Sequence, residues 1–303
     1  MSRVRLLSAA LAVALVIGLT ACGRPSQAVP DTANARTQAE SPLTFGSSTA
    51  TTDTLVYLGD TQGDTVTDRP VFGALLQAAA ITPQDLVVLG GDLVNDEQNT
   101  REWQAFSAQI PLSVDPAKQV AVVPGNHTPD MPPVDFFARQ APAVVLMAHT
   151  EVVLLDSNIL GSLDTSQIKQ SQDFLRRALA LRGRRQLIFV THHPLFVLDA
   201  NPKDKARAAT MMKNYGSFFK QATLVLCGHE HMYARYTDPA TGVTQLIGNA
   251  SGKGYTPSDP HQQGLACLLQ DTVVFTRLSV TAEGLQLTTY DSQAQLIDSA
   301  TLP

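Results

Sequence analysis

Residues 224–235 run Leu-Val-Leu-Cys-Gly-His-Glu-His-Met-Tyr-Ala-Arg: an apolar stretch that stops at Gly228 and passes at once into His229 and His231. In an extended segment, residues i and i+2 point to the same side. At a strand end, this pair faces one metal site or two adjacent metals. Taken alone, it reads equally well as two exposed loop histidines.

Four other apolar runs end in the same kinds of residue. Leu55-Val-Tyr-Leu-Gly precedes Asp60, and Leu86-Val-Val-Leu-Gly-Gly precedes Asp92. Val120-Ala-Val-Val-Pro-Gly precedes Asn126 and His127, and Leu187-Ile-Phe-Val-Thr precedes His192 and His193. Chemistry in open α/β sheets collects outside the carboxyl ends of the strands. Five such ends in one sheet are hard to attribute to chance. Glycine stands directly before Asp60, Asp92, Asn126 and His229, where it permits the tight turn that puts a side chain at a strand tip. Carboxylate, amide and imidazole donors suit zinc, manganese or iron and not copper(I). If the site holds two dications, only two carboxylates leave it net positive, which favours an anionic substrate.

The ordered set Gly-Asp, Gly-Asp, Gly-Asn-His, His-x-Pro and Gly-His-x-His resembles the calcineurin-like metallophosphoesterase superfamily. The stretch Gly228–Arg235 is most similar to its purple acid phosphatase branch. The resemblance spans roughly residues 55–252. It implies a two-sheet β-sandwich flanked by helices and a pair of metal ions roughly 3.5–4 Å apart. It implies that Asp92 bridges them, with Asp60 and His231 on the first metal and Asn126, His192 and His229 on the second. His192 is preferred over His193 because Pro194 follows it at the family's spacing. His127 matches an outer histidine that binds phosphate and assists the leaving oxygen, a task suited to a group titrating near neutral pH. The implied activity is hydrolysis of a phosphate ester by water activated at the metals, with a monoester or a diester as substrate.

The chain departs from the family's pattern at two positions. Gln62 stands where the superfamily commonly has histidine and purple acid phosphatases have glycine. Asn95 stands where purple acid phosphatases have their metal-bound tyrosine, so the strong iron(III) preference of that branch is not carried over. Gln62, Asn95, His193 and Arg235 are candidates for metal or substrate contact. Asn249 lines the cleft or simply makes a turn. The departures keep a second reading open, a metal-binding envelope lipoprotein with a degenerate first site and little or no catalysis.

The chain has 303 residues, 44% of them hydrophobic, and a formal net charge of −5. No long basic run marks a nucleic-acid surface. Arg3 and Arg5 precede an apolar run from Leu6 to Leu19, too short for a comfortable membrane span. Leu19-Thr-Ala-Cys22 resembles a bacterial lipoprotein cleavage box, which implies a signal over 1–21 and lipid on Cys22. An ordinary secretory signal is the alternative. Residues 22–52, rich in Ser, Thr, Ala, Pro and Gln, read as a flexible tether, with the globular domain at 53–303. The expected location is therefore the bacterial cell envelope, lipid-anchored, with the domain outside the cytoplasm. Cys227 and Cys267 read as buried free thiols rather than a disulfide.

Hydrophobic periodicity predicts strands over 54–58, 86–89, 119–123, 187–190 and 224–227, and a hairpin from 144–147 and 152–155. It predicts helices over 71–80, 99–110, 166–181 (capped by Ser166) and 203–220. Five further strands between Val243 and Ala300 make the C-terminal part β-rich and antiparallel.

Overall fold

The computed structural model describes residues 41–63, 71–130, 136–251 and 254–303. The expected signal, Cys22 and most of the expected tether lie outside the described residues. The tether expectation extends too far into the body, however. Leu43–Thr44 forms strand β1, paired in parallel with residues 145–146, and Phe45 is buried in the core.

Two sheets form the body. One is ordered β15-β14-β13-β2-β3-β4-β5: β2 (Asp53–Leu58), β3 (Leu86–Leu89), β4 (Val120–Val122), β5 (Arg139–Gln140), β13 (Val274–Val280), β14 (Leu285–Asp291) and β15 (Leu296–Leu302). The other is ordered β1-β6-β7-β8-β9-β11-β10-β12. It comprises β6 (Ala143–Leu146), β7 (Thr150–Leu154), β8 (Gln186–Val190), β9 (Leu224–Cys227), β10 (Tyr233–Thr237), β11 (Thr244–Ile247) and β12 (Leu265–Leu269). The inner faces pack on each other through residues such as Leu55, Tyr57, Val88, Val152, Ile188 and Leu226. The outer face of the first sheet is covered by helices α1 (Val71–Ala78) and α2 (Thr100–Ala108). After α3 (Pro116–Gln119) and α4 (Ser157–Leu160) come α5 (Thr165–Leu179) and α6 (Pro202–Phe219), which cover the second sheet. Central strands buried on both faces explain the near-continuous apolar runs, such as Leu-Val-Val-Leu in β3.

Several expectations shift. The cap of α5 is Asp164, whose side chain accepts from the backbone of Ser166 and Gln167; Ser166 lies inside the helix. On α6, Met211, Tyr215 and Phe219 are fully buried, and Phe218 packs half-buried against the same cluster. β10 falls inside the motif quoted above, where metal-type residues mask the strand pattern. The C-terminal strands are not all antiparallel, because β11 runs parallel to β9. The five ligand-bearing strand ends do not share one sheet. β2, β3 and β4 are mutually parallel in the first sheet, and β8 and β9 are parallel in the second. Cys227 and Cys267 are free thiols, the first buried and the second half-buried.

Candidate metal centre

Three loops from the first sheet and two from the second meet at one end of the sandwich. Asp60, Asp92, His229 and His231 all sit in left-handed backbone conformation, with φ of 43°, 46°, 71° and 44°. A residue with a Cβ is strained there, and such strain clusters at functional sites. The turns are tight because each carboxylate has one oxygen held by the backbone of a neighbouring loop. Asp60 Oδ2 accepts the His229 N–H at 2.7 Å, and Asp92 Oδ1 accepts the His127 N–H at 2.8 Å. The glycines leave room for this: a Cβ on Gly228 would collide with Asp60 Oδ2, and one on Gly125 with Asp92 Oδ1.

The remaining oxygens turn toward histidines and form two clusters. In the first, Asp60, Asp92 and His231 bring one ligand atom each within 4.8 Å of one another. His231 Nε2 is 3.5 Å from Asp60 Oδ1 and 3.2 Å from Gln62 Nε2, which is 3.5 Å from Asp92 Oδ2. The Gln62 amide oxygen is buried without a hydrogen-bond partner. In the second cluster, His192, His193 and His229 likewise bring one ligand atom each within 4.8 Å of one another. Asn126 Oδ1 lies 3.1 Å from His192 Nε2 and 2.9 Å from His229 Nδ1. Asp92 Oδ2 is 3.3 Å from His192 Nε2, so this carboxylate touches both clusters.

Each imidazole has its other nitrogen engaged. His192 Nδ1 donates to the Gly90 carbonyl at 2.9 Å. His229 Nε2 is 3.2 Å from Asp204 Oδ2, and His231 Nδ1 is 3.4 Å from Ser251 Oγ. With those protons placed outward, the nitrogens that face Asn126, Asp60 and Asp92 carry lone pairs and point at other acceptors. Apart from the Gln62 amide nitrogen, which donates into the first cluster, acceptors converge on acceptors; with the orphaned Gln62 oxygen beside them they make a set of ligand atoms that fits cations. Without a cation, burial alone would raise the Asp92 carboxyl. The neighbouring His192 and the His127 amide reverse that and hold it low. His192 shows the converse: burial pulls it down, and Asp92 outweighs burial and lifts it.

The other candidates separate. His193 is buried against Ser157, its Nδ1 at 2.9 Å from the hydroxyl, and burial followed by the charges of His192 and His229 lowers its pKa. His127 is exposed, and its Nδ1 donates to the Asn95 carbonyl at 2.9 Å, which leaves Nε2 facing outward. Asn95, the residue at the family's tyrosine position, contributes that carbonyl, while its side chain donates to the Gly63 carbonyl. The Arg235 guanidinium is taken up by Asp298 on β15, Nε at 2.7 Å and Nη2 at 3.0 Å, and Tyr233 joins the same carboxylate. Arg235 thereby ties the two sheets together. Asn249 is buried and bonds to the His231 carbonyl and to Ser251, so it braces the His231 loop. Glu230 turns away from both clusters and accepts the Leu198 and Asp199 amides.

Three residues near the centre escape a reading of the sequence. Asp204 lies in the first turn of α6, where an acid is explained by the helix dipole alone. Ser251 sits in a glycine-rich loop. Tyr255 stacks flat on His231, with ring centroids 4.7 Å apart and planes 4° apart. None carries a spacing signal, because a loop of the second sheet or a helix start brings each one in.

A family model described as calcineurin-like phosphoesterase matches residues 54–233, more than half of the chain. Among curated proteins, the chain is similar to the 3',5'-cyclic adenosine monophosphate phosphodiesterase CpdA of Escherichia coli K12, 30% identical over 158 residues. It is likewise similar to CpdA of Haemophilus influenzae, 27% identical over 155 residues. Each match covers 48% of this chain, and the chain spans about half, 54%, of each relative. Among solved structures, GAP50, titled the anchor in the inner membrane complex of Plasmodium, superposes with a TM-score of 0.62 at 12% identity over 84% of this chain and 89% of that one. PhoD superposes with a TM-score of 0.55 at 10% identity over 85% of this chain and 73% of that one. At these identities the two structures speak for the fold alone. The extent of the family match makes the chain a member of the calcineurin-like phosphoesterase family.

Proposed function

We propose that this chain is a binuclear phosphoester hydrolase of the bacterial cell envelope. One observation carries the binuclear reading: Asp92 Oδ2 approaches both His192 Nε2 of the second cluster and Gln62 of the first. Asp60, Gln62, Asp92 and His231 would hold one metal, and Asp92, Asn126, His192 and His229 the other; zinc, manganese and iron all suit these donors. The bound metals would polarise a phosphoryl group, neutralise its growing charge and activate water for attack. The chain's own residues supply the rest. Asn95 fixes the ring of His127 through Nδ1, so that a proton on Nε2 is aimed out of the loop toward a leaving oxygen.

A phosphodiester is the second reading of the substrate, favoured by the name of the CpdA relatives. Envelope anchoring rests on the leader-like residues 1–21 and Cys22; among the described residues, no helix is long and apolar enough to cross a membrane. Purified full-length chain, stripped of metal and reloaded, is to be assayed on a nitrophenyl monoester, the bis-nitrophenyl diester and cyclic AMP. Metal-dependent release from any of them supports the hydrolase. Two bound metals with no turnover on all three substrates favours the non-catalytic binding lipoprotein instead. Cys22→Ser tests the anchor: the variant is expected in the soluble fraction or as unprocessed precursor, and an unchanged membrane fraction and mass contradicts it.

A further inference from the structure

The second cluster has a carboxylate behind it that no motif announces. Asp204 is buried, and its Oδ2 lies 3.2 Å from His229 Nε2. The opposite ring nitrogen, Nδ1, is the one that faces Asn126 Oδ1. Asn201 braces the arrangement from two directions. Its side-chain oxygen caps α6 by accepting the Lys203 amide at 3.0 Å, and its amide nitrogen donates to Asp204 Oδ2. Asp204 therefore reaches His229 from a capped, fixed helix start, with a rotamer set by a second side chain.

A carboxylate accepting from the distal N–H of a ligand histidine fixes the tautomer and makes the facing nitrogen a better donor. His192 donates to a neutral carbonyl, and His231 meets a hydroxyl at 3.4 Å. We infer that Asp204 is a positioning residue that holds His229 with its Nδ1 lone pair toward the second metal and strengthens that metal's binding. The inference rests on the two-metal reading above. It sets an order of affinity within the centre. The second site has a charge-backed histidine, whereas the first has the neutral Gln62. The second metal is the tighter one.

The alternative role for Asp204 is helix capping alone, since an acid at this position also suits the N-terminus of α6. Metal affinity separates the two. The test is titration of metal-free full-length chain with cobalt(II), followed by its visible absorption and by competition with zinc, for wild type, Asp204→Asn and Asp204→Ala. The thermal melting of each metal-free protein is recorded alongside. The asparagine keeps an acceptor for Nε2–H and loses the charge. The alanine loses both.

The expected result is weaker binding of the tighter metal by about 10–100-fold in Asp204→Ala. Asp204→Asn should fall between it and wild type, with the weaker metal's affinity unchanged in both. Equal metal affinities in all three, whatever the change in melting, overturn the inference and leave the two-metal reading standing. A wild type that takes up fewer than two metals overturns both.

Discussion

Asp60, on a loop of one sheet, accepts the backbone N–H of His229, on a loop of the other, at 2.7 Å. A single oxygen thus clamps the two halves of the centre together. The other oxygen stays on the side of His231, 3.5 Å from its Nε2. Asp92 repeats the arrangement with His127 and His192. Each carboxylate is both a backbone acceptor and a candidate ligand, which is why the turns around them are strained and glycine-flanked.

Gly228→Ala tests the clamp. The new methyl group would collide with Asp60 Oδ2, an atom held by a hydrogen bond, so the loop must shift. The expected cost is about 1–3 kcal/mol of stability, the range for overpacking a tight interior, together with weaker binding of the first metal. Unfolding and metal titration of the variant read both effects. Wild-type values for each would show that the clamp is not needed.

Gln62→His tests the weak position of the first site. In wild type, the Gln62 amide sits against His231 and Asp92 with its oxygen unpartnered. An imidazole is a stronger donor than a neutral amide, and the first metal should bind about tenfold tighter, the scale on which the surroundings of a metal ligand act. The metal concentration giving half-maximal hydrolysis should fall with it. If that concentration and the binding isotherm stay the same, Gln62 does not contribute to the site.

Glu151 offers a test of the body apart from the centre. It is fully buried on β7, and neither carboxyl oxygen has a hydrogen-bond partner. Burial lifts it from 4.5 to about 7, against the opposing pull of Arg182 and Arg185. The folded state therefore holds a proton that the unfolded chain releases above pH 4.5. This destabilises the fold progressively as pH rises from 4.5 to about 7, and the loss stays constant above that. Glu151→Gln should match wild type near pH 4.5 and exceed it at pH 8 by on the order of 1–3 kcal/mol. Denaturant unfolding at the two pH values gives the answer, and parallel pH dependences for the two proteins would contradict it.

The centre was legible in the sequence where a buried strand ends directly in a ligand residue. A strand buried on both faces is written as an apolar run, and the residue after its terminal glycine stands out by contrast, as Asp60, Asp92 and His229 do. What the runs do not record is which sheet each strand joins. A parallel pair inside a sandwich looks the same from either side, so the split of the five ends between two sheets emerges only from pairing. Second-rank contacts stay hidden for a related reason. Asp204, Ser251 and Tyr255 lie on a helix start and a loop whose residue types have ordinary local explanations. Arg235 shows the reverse case. It belongs to a motif by spacing, yet its partner Asp298 lies far along the chain, in the last strand.

The central claim is that Asp92 joins two metal sites into one hydrolytic centre. The most direct measurement is metal content per chain and phosphoester turnover on the same preparations, for reconstituted wild type and Asp92→Asn. The account predicts two metals per wild-type chain with turnover. It predicts loss of at least one metal in the variant, with a rate loss of about a hundredfold or more, the scale of removing one electrostatic stabiliser. An Asp92→Asn protein that keeps both metals and the wild-type rate would contradict it.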